Sequence, residues 1–247
     1  MTKFTNRLAL LGLAIAIGCV LTALAAGLGY RFGWWHYRVG LATLGYVFWV
    51  ALGAAVSCVV VLVVAITLAK SRRALLLGFL GLLVAGITAW IPYNLRMTAN
   101  ALPPIHDITT DMADPPQFVR VATLRKTDEH TVAYDDPKVA DQQKKAYPDI
   151  VPLVSTMPHD KVFAAAKATV ESMGLEVVDA DTAYGRIEAT ATSTLFGFKD
   201  DMVVRIVENA GSTIVDVRSK SRVGRNDFGM NAKRIRTFEA KLKAALS

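Results

Sequence analysis

The sequence predicts a membrane protein of mixed class. An α-helical N-terminal part of about three transmembrane helices precedes an α+β domain, a four-stranded antiparallel sheet with two helices packed on one face. Three observations lead there. All 21 acidic residues of the 247 lie from Asp107 onward, whereas residues 1–96 hold no acid and only 8 of the 28 basic residues. Three uncharged apolar stretches run through that acid-free part. Beyond Ser155 the apolar pattern changes from the helical period to alternation and back.

A hydrocarbon core of roughly 30 Å takes about 20 apolar residues in a helix. Residues 8–30, 39–69 and 74–95 qualify, which makes 1–97 the membrane region. The second stretch is longer than a span requires, so tilt or projection past the interface is expected. Trp34, Trp35 and Tyr37 follow the first stretch, and Trp90 and Tyr93 end the third. Both groups fall on one side, as an aromatic belt. Lys3, Arg7, Lys70, Arg72 and Arg73 face one side, against Arg31, Arg38 and Arg96 on the other. That excess predicts a cytoplasmic N-terminus and a C-terminal domain on the far side. Small residues recur at four-residue spacing at Gly12/Ala16, Ala14/Gly18 and Gly53/Ser57. They permit close helix approach, or simply reflect the abundance of Gly and Ala in such helices. The first stretch also has signal-peptide features, a basic start at Met1–Arg7 and an Ala23-Leu24-Ala25 site, and Cys19 after Ile17-Gly18 faintly resembles a lipidation site. With the first stretch cleaved, the domain still lies outside.

Residues 98–117 read as an extended linker, because Pro103-Pro104 and Pro115-Pro116 forbid helix. The soluble domain is then 118–247. Phe118–Asp149 is polar and weakly periodic, with a short strand expected at Val119–Leu124. Ser155 or Thr156 caps a helix with Pro158 in its first turn. Val162, Phe163, Ala166, Val170 and Met173 form its apolar stripe, and Gly174 ends it. Strands follow at Leu175–Asp179, Arg186–Thr194, Met202–Val207 and Thr213–Lys220, separated by turn residues. A last helix runs from Asn226 or Asp227 to Leu246, burying Phe228, Ile235, Phe238, Leu242 and Leu246. Sheet face and helix stripes bury one another, giving the α+β layer pair.

Several separated segments carry a resemblance. They are Pro103-Pro104-Ile105-His106-Asp107-Ile108-Thr109-Thr110-Asp111 with Asp114-Pro115-Pro116, Tyr147-Pro148-Asp149-Ile150, Phe198-Lys199-Asp200-Asp201 and Val204-Arg205-Ile206. Arg218-Ser219-Lys220-Ser221-Arg222-Val223-Gly224, Asp227-Phe228-Gly229-Met230-Asn231-Ala232 and Arg234-Ile235 complete the set. In this order they resemble the domain-of-unknown-function family numbered 1499, over roughly Pro103–Leu246. The resemblance implies a bacterial or plastid envelope-type protein, often membrane-anchored, and carries over no catalytic residue.

Charge excludes one function class. Beyond residue 96, 20 bases face 21 acids, so the domain lacks the basic excess that nucleic acid requires. The chain's two cysteines, Cys19 and Cys58, sit in the apolar runs of the membrane region, so neither a disulfide framework nor a Cys metal site is expected in the domain. No phosphate-loop, dinucleotide or nucleophile-elbow motif occurs, and His130 and His159 have no expected partner. The strongest constellation is Asp200, Asp201 and Arg205 at the third strand, Arg218, Ser219, Ser221 and Arg222 at the fourth, and Asp227 and Asn231 at the last helix. If those strands pair as a hairpin, Asp200 and Asp201 meet Ser219–Arg222. The cluster then serves as a buried salt-bridge network or as an anion site of arginine forks near a helix N-terminus. His106, Asp107 and Asp111 are hard metal ligands that more often cap turns, and no metal, cofactor or catalytic residue is assigned.

The expected role is a non-enzymatic scaffold, assembly or regulatory partner of a membrane complex. Its partners are the bilayer and another membrane protein or a second copy. Its location is the bacterial cytoplasmic membrane with the domain in the periplasm. The alternatives are a binding module for an anionic lipid or small anion at Arg218–Arg225, and a metal-dependent hydrolase using Asp200 and Asp201.

Overall fold

The structure is a computed structural model that describes residues 1–134 and 137–247. The chain divides into two units, Met1–Thr98 with Thr194–Gly197, and Ala99–Ser193 with Phe198–Ser247.

In the first unit, α1 (Thr2–Arg31), α2 (Tyr37–Val64) and α3 (Arg72–Ala101) correspond to the three expected spans, and each is long and apolar enough to cross a membrane. α2 continues through a π-helical turn, Ala65–Ala69, and closes on Lys70 in the left-handed region at φ 45°. Ser71 then starts α3: its hydroxyl donates to Asn6 Oδ1 at 2.6 Å and accepts from the Ala74 N–H at 3.2 Å. Water-soluble bundles bury large apolar side chains, and this unit does the opposite. Ala9, Ala16, Ala51 and Ala85 are fully buried, whereas Leu21, Trp49, Phe79 and Trp90 point outward. Lipid removes the hydrophobic penalty for an exposed Leu, so close backbone packing decides what lies inside. A Cβ on Gly12 or Gly81 would lie 2.9 or 2.8 Å from Cys58 Sγ. Of the small-residue pairs, Gly12/Ala16 is used in this way. Gly18 and Gly53 have open space where a side chain would go, so the other two pairs are not helix contacts within the unit.

The second unit is built on an antiparallel sheet of six strands rather than four. They are β1 (Asp107–Thr109), β2 (Leu153–Ser155), β3 (Glu176–Asp181), β4 (Arg186–Thr192), β5 (Lys199–Asn209) and β6 (Ser212–Ser221). The order is β1-β6-β5-β4-β3, and β2 shares the outer edge of β6 with β1. The two unforeseen strands have three residues each, too short for alternation to show, and pair with residues far along the chain: β1 with Arg218–Lys220 and β2 with Thr213–Val215. The proline-rich 98–117 segment thus supplies a strand, and its Ile105, Ile108, Thr109 and Thr110 are buried. α4 (Pro137–Ala146), in a stretch expected to be loop, guards this edge. The amide of its fully buried Gln143 donates to Thr109 O at 2.6 Å and accepts from Thr109 N at 3.1 Å. That side chain takes the place of a further strand on an exposed edge.

The two expected helices, α5 (His159–Ser172) and α6 (Met230–Ala245), cover one face. Val162, Phe163, Ala166 and Val170 from α5 and Ala232, Ile235, Phe238 and Leu242 from α6 pack on Ile187, Ala189, Met202, Val204, Ile206, Val215 and Val217. Ser155 belongs to β2 and does not cap α5, whose N-cap is Pro158. The strand expected at Val119–Leu124 is a 3-10 turn, Val121–Leu124. Phe228, expected in the buried stripe, is 41% exposed; it lies outside α6 in the left-handed region at φ 56°, which turns it away from the sheet. β5 and β6 meet through Ala210 (φ 49°) and Gly211 (φ 83°). With Asn209 paired to Ser212 this is a two-residue turn with both central φ angles positive, whose twist matches that of the strands.

Candidate functional site: a buried ionic layer

Strand alternation decides which of the charged residues meet. In β5 and β6, Asp201 faces Lys220, Val203 faces Arg218 and Arg205 faces Asp216. These side chains point away from the helices, as do Glu188 and Thr190 of β4, which pair with Val203 and Asp201. A sheet face this polar needs a cover that satisfies it. The segment 110–134 lies over it as a strap, with Phe118 and Val121 packed on Val203.

Glu188 anchors the strap. It is fully buried, and its carboxylate accepts the backbone N–H groups of Val119 at 2.8 Å, Arg120 at 3.0 Å and Val121 at 2.8 Å. Arg186 Nε lies 3.0 Å away as its counter-charge. Three donors converging on one carboxylate hold the start of the 3-10 turn in place.

Arg218 is fully buried and is the largest such side chain among the described residues. Its fork grips Asp107, Nε to Oδ1 at 2.9 Å and Nη2 to Oδ2 at 2.8 Å. Its remaining donors reach Pro116 O at 3.3 Å and Val132 O at 2.9 Å. The Phe118 and Tyr134 rings lie 5.1 and 5.3 Å from the guanidinium, a cation–π arrangement suited to a desolvated arginine. Lys220 Nζ also contacts Asp107, at 3.1 Å. Burial, with the Asp107 carboxylate nearby, pushes the Tyr134 phenol up to about 12.

Asp201, also fully buried, is shared by two arginines. Arg222 Nη2 donates at 2.9 Å and Arg125 Nε at 3.0 Å, and the Thr190 hydroxyl donates at 2.8 Å. Burial pulls Arg125 below the usual guanidinium range despite Asp201. At the open end of the layer, Arg205 holds Asp216 at 2.9 Å, Asp111 at 3.2 Å and Asp114 at 2.7 Å.

The other half of the expected constellation lies on the helix face. Asp200, one residue from Asp201, accepts Arg234 Nη2 at 2.7 Å. Ser219 donates to Asn231 Oδ1 at 2.7 Å, and Asn231 Nδ2 donates to Ser221 Oγ at 2.9 Å and His106 O at 3.0 Å. Asp227 accepts the N–H groups of Gly229 at 2.9 Å and Asn231 at 2.7 Å. Burial nevertheless raises its carboxyl above the usual range. The hairpin therefore gathers Asp200, Asp201, Arg218, Ser219, Ser221 and Arg222 at one end of the sheet, where Asp227 and Asn231 join from the start of α6, while Arg205 lies further along, opposite Asp216. The sheet splits them, with Asp201, Arg205, Arg218 and Arg222 on the strap side and Asp200, Ser219, Ser221, Asp227 and Asn231 on the helix side. Sequence reasoning missed Arg125, Glu188, Arg234 and Glu129, whose carboxylate lies 3.7 Å from Arg222 Nη1. Their partners are remote, and only Glu188, an acid inside an alternating run, carried a local sign of burial.

The two histidines His106 and His130 stack with ring centres 4.1 Å apart. His130 Nε2 lies 3.0 Å from Gly224 O. Burial, then the charges of His130 and Lys220, lower His106 to about 4. His159 Nδ1 lies 3.2 Å from Asp160. Among the described residues, no three His, Cys, Asp or Glu side chains are grouped to hold a metal ion. An open cleft of about 620 Å³ is lined by Pro158, His159, Thr182, Tyr184, Gly185 and Glu208, apart from the ionic layer.

One family model matches, that of the protein of unknown function DUF1499, over residues 107–242. The chain belongs to this family. The DUF1499 match starts at the first residue of β1 and ends at Leu242, the fully buried contact of α6 nearest the C-terminus. The family unit is thus the sheet with both of its covers, strap included. No curated protein matches the chain.

Proposed function

We propose that this DUF1499 protein is a non-enzymatic membrane-anchored scaffold, assembly or regulatory partner of another membrane component. The observation that carries this reading is the closure of the ionic layer. Asp107, Asp201 and Glu188 each spend their oxygens on donors of the same chain. Catalytic groups are typically open to substrate, whereas these carboxylates sit in satisfied pairs beneath a strap. Such pairs give geometric specificity more than net stability, which suits a domain that presents a fixed surface. The basic excess at the N-terminus and the α2–α3 turn supports a cytoplasmic N-terminus and a periplasmic domain in the bacterial inner membrane. Affinity purification in mild detergent, followed by native electrophoresis, tests the role: a defined complex is expected, and a lone monomer overturns it. Alkaline phosphatase fused after Ser247 tests the placement, with an active fusion expected.

The second reading is an anionic ligand at the Arg218–Arg225 loop, favoured by the exposure of Arg225 beside this cluster. Native mass spectrometry would then show a retained anion, lost in Arg225→Ala.

A further inference from the structure

Charge is nearly balanced over the domain as a whole, yet α6 is not balanced. Between Met230 and Ala245 it carries Lys233, Arg234, Arg236, Lys241 and Lys243 against the single acid Glu239. Arg234 and Arg236 are engaged by Asp200 and Asp149, while Lys233 and Lys241 are exposed. These two lysines line a groove of about 310 Å³ with Met173, Met230 and Thr237. The positions 230, 233, 237 and 241 share one helix face. Just before the helix, Phe228 is held outward in the left-handed region at φ 56° and is 41% exposed, and Met230 is 48% exposed. A bulky aromatic in that region is a costly conformation, and here it sets an apolar ring beside a basic groove.

The neighbourhood of this ring indicates its occupant. Asn226 Nδ2 donates to Ala99 O at 3.0 Å, and a Cβ on Gly229 would lie 3.2 Å from Leu102. Ala99 belongs to the last turn of α3, the third helix long enough to cross a membrane, which ends at Ala101. Phe228 and Met230 thus adjoin the point where a membrane-spanning stretch ends. Exposed Phe and Met beside exposed lysines match an interfacial surface, with apolar groups at the acyl boundary and ammonium groups at phosphates.

We propose that Phe228, Met230 and the Lys233–Lys241 groove bind the headgroup region of anionic phospholipids. The proposal holds on either side of the membrane and with or without a protein partner. The test uses the full chain in nanodiscs of phosphatidylcholine, with and without phosphatidylglycerol, and reads hydrogen exchange of residues 226–241. Phosphatidylglycerol is expected to slow exchange there. Each lysine near an anionic surface changes partitioning roughly fivefold. Lys233→Glu with Lys241→Glu should therefore lower that protection by roughly tenfold or more, with exchange in β5 and β6 unchanged as the control for folding. Phe228→Asn, which tolerates the same φ, should lower it as well. Equal exchange in both lipids, or protection that survives charge reversal, overturns the proposal. Inorganic phosphate reproducing the full effect in pure phosphatidylcholine would indicate a small-anion site and overturn it too. Protection by a polyglutamate peptide but not by phosphatidylglycerol would assign the groove to an acidic protein segment instead.

Discussion

Glu188→Gln tests the ionic layer most directly. Glu188 is fully buried and its two oxygens accept three backbone N–H groups, two on Oε1 and one on Oε2. Glutamine keeps the shape but replaces one acceptor oxygen with a donor. At least one N–H of Val119–Val121 then faces an NH2 group, and Arg186 loses one of its carboxylate partners, at 3.0 Å, while keeping Asp179 at 2.9 Å. An orphaned buried donor costs about 1–3 kcal/mol, and bonds to a charged acceptor are each worth about 1.5–3 kcal/mol. The expected loss is therefore about 3 kcal/mol, and it falls first on the strap. A domain is typically stable by about 5–15 kcal/mol, so the variant still folds. All four tryptophans, Trp34, Trp35, Trp49 and Trp90, lie in or between the membrane helices, so indole fluorescence does not report on this domain. The assay is hydrogen exchange of the full chain in detergent, with urea unfolding followed by near-ultraviolet tyrosine dichroism. Amides of residues 119–121 should exchange more than tenfold faster, since about 1.4 kcal/mol already gives a factor of ten. Unchanged protection and an unchanged urea midpoint would refute the idea that Glu188 pins the strap.

Four further outcomes are expected. His106 is held near 4 against 6.5 in the unfolded chain, so the folded state binds fewer protons. The stability it leaves intact above pH 6.5 is lost as pH falls toward 4, on the order of 2 kcal/mol after discounting its partial exposure; His106→Asn should flatten that part of a urea-midpoint profile. Glu239 is raised to about 7, by burial first and by Asp149 next. Its stabilising protonation is complete below about 4.5 and lost as pH rises through 7, so Glu239→Gln should raise the midpoint at pH 8 and leave it unchanged at pH 4. Ala210→Asn suits the left-handed φ of 49° and should raise stability by about 0.5–1 kcal/mol in thermal unfolding. Gly81→Ala puts a Cβ 2.8 Å from Cys58 Sγ and 3.2 Å from Leu13 N, and should cost about 1–3 kcal/mol in detergent thermostability, while Gly53→Ala is neutral.

The legible part of this protein is the part governed by neighbours in sequence. The apolar stretches became α1, α2 and α3, and the alternation of Ile187 and Ala189 placed β4 correctly. The stripe of Val162, Phe163, Ala166 and Val170 marked the buried side of α5. Failures came where an element is brief or its partner remote. β1 has three residues and a partner more than 100 positions away, and Phe228 left the apolar stripe because a left-handed residue, invisible in periodicity, precedes the helix.

Hydrocarbon tolerates no unpaired charge, and sheets and helices repeat every two or 3.6 residues, so the amino-acid order alone determined a membrane region followed by an α+β layer. It also determined that Asp200 and Asp201 lie on opposite faces of any strand. Which groups those faces meet was decided only in three dimensions. Arg218 reaches Asp107 across 111 positions and Glu188 reaches Val119 across 69. Such pairings depend on register and on the path of the strap. A charge signals in sequence that it needs a partner, but only the folded chain, by excluding water from it, selects which one.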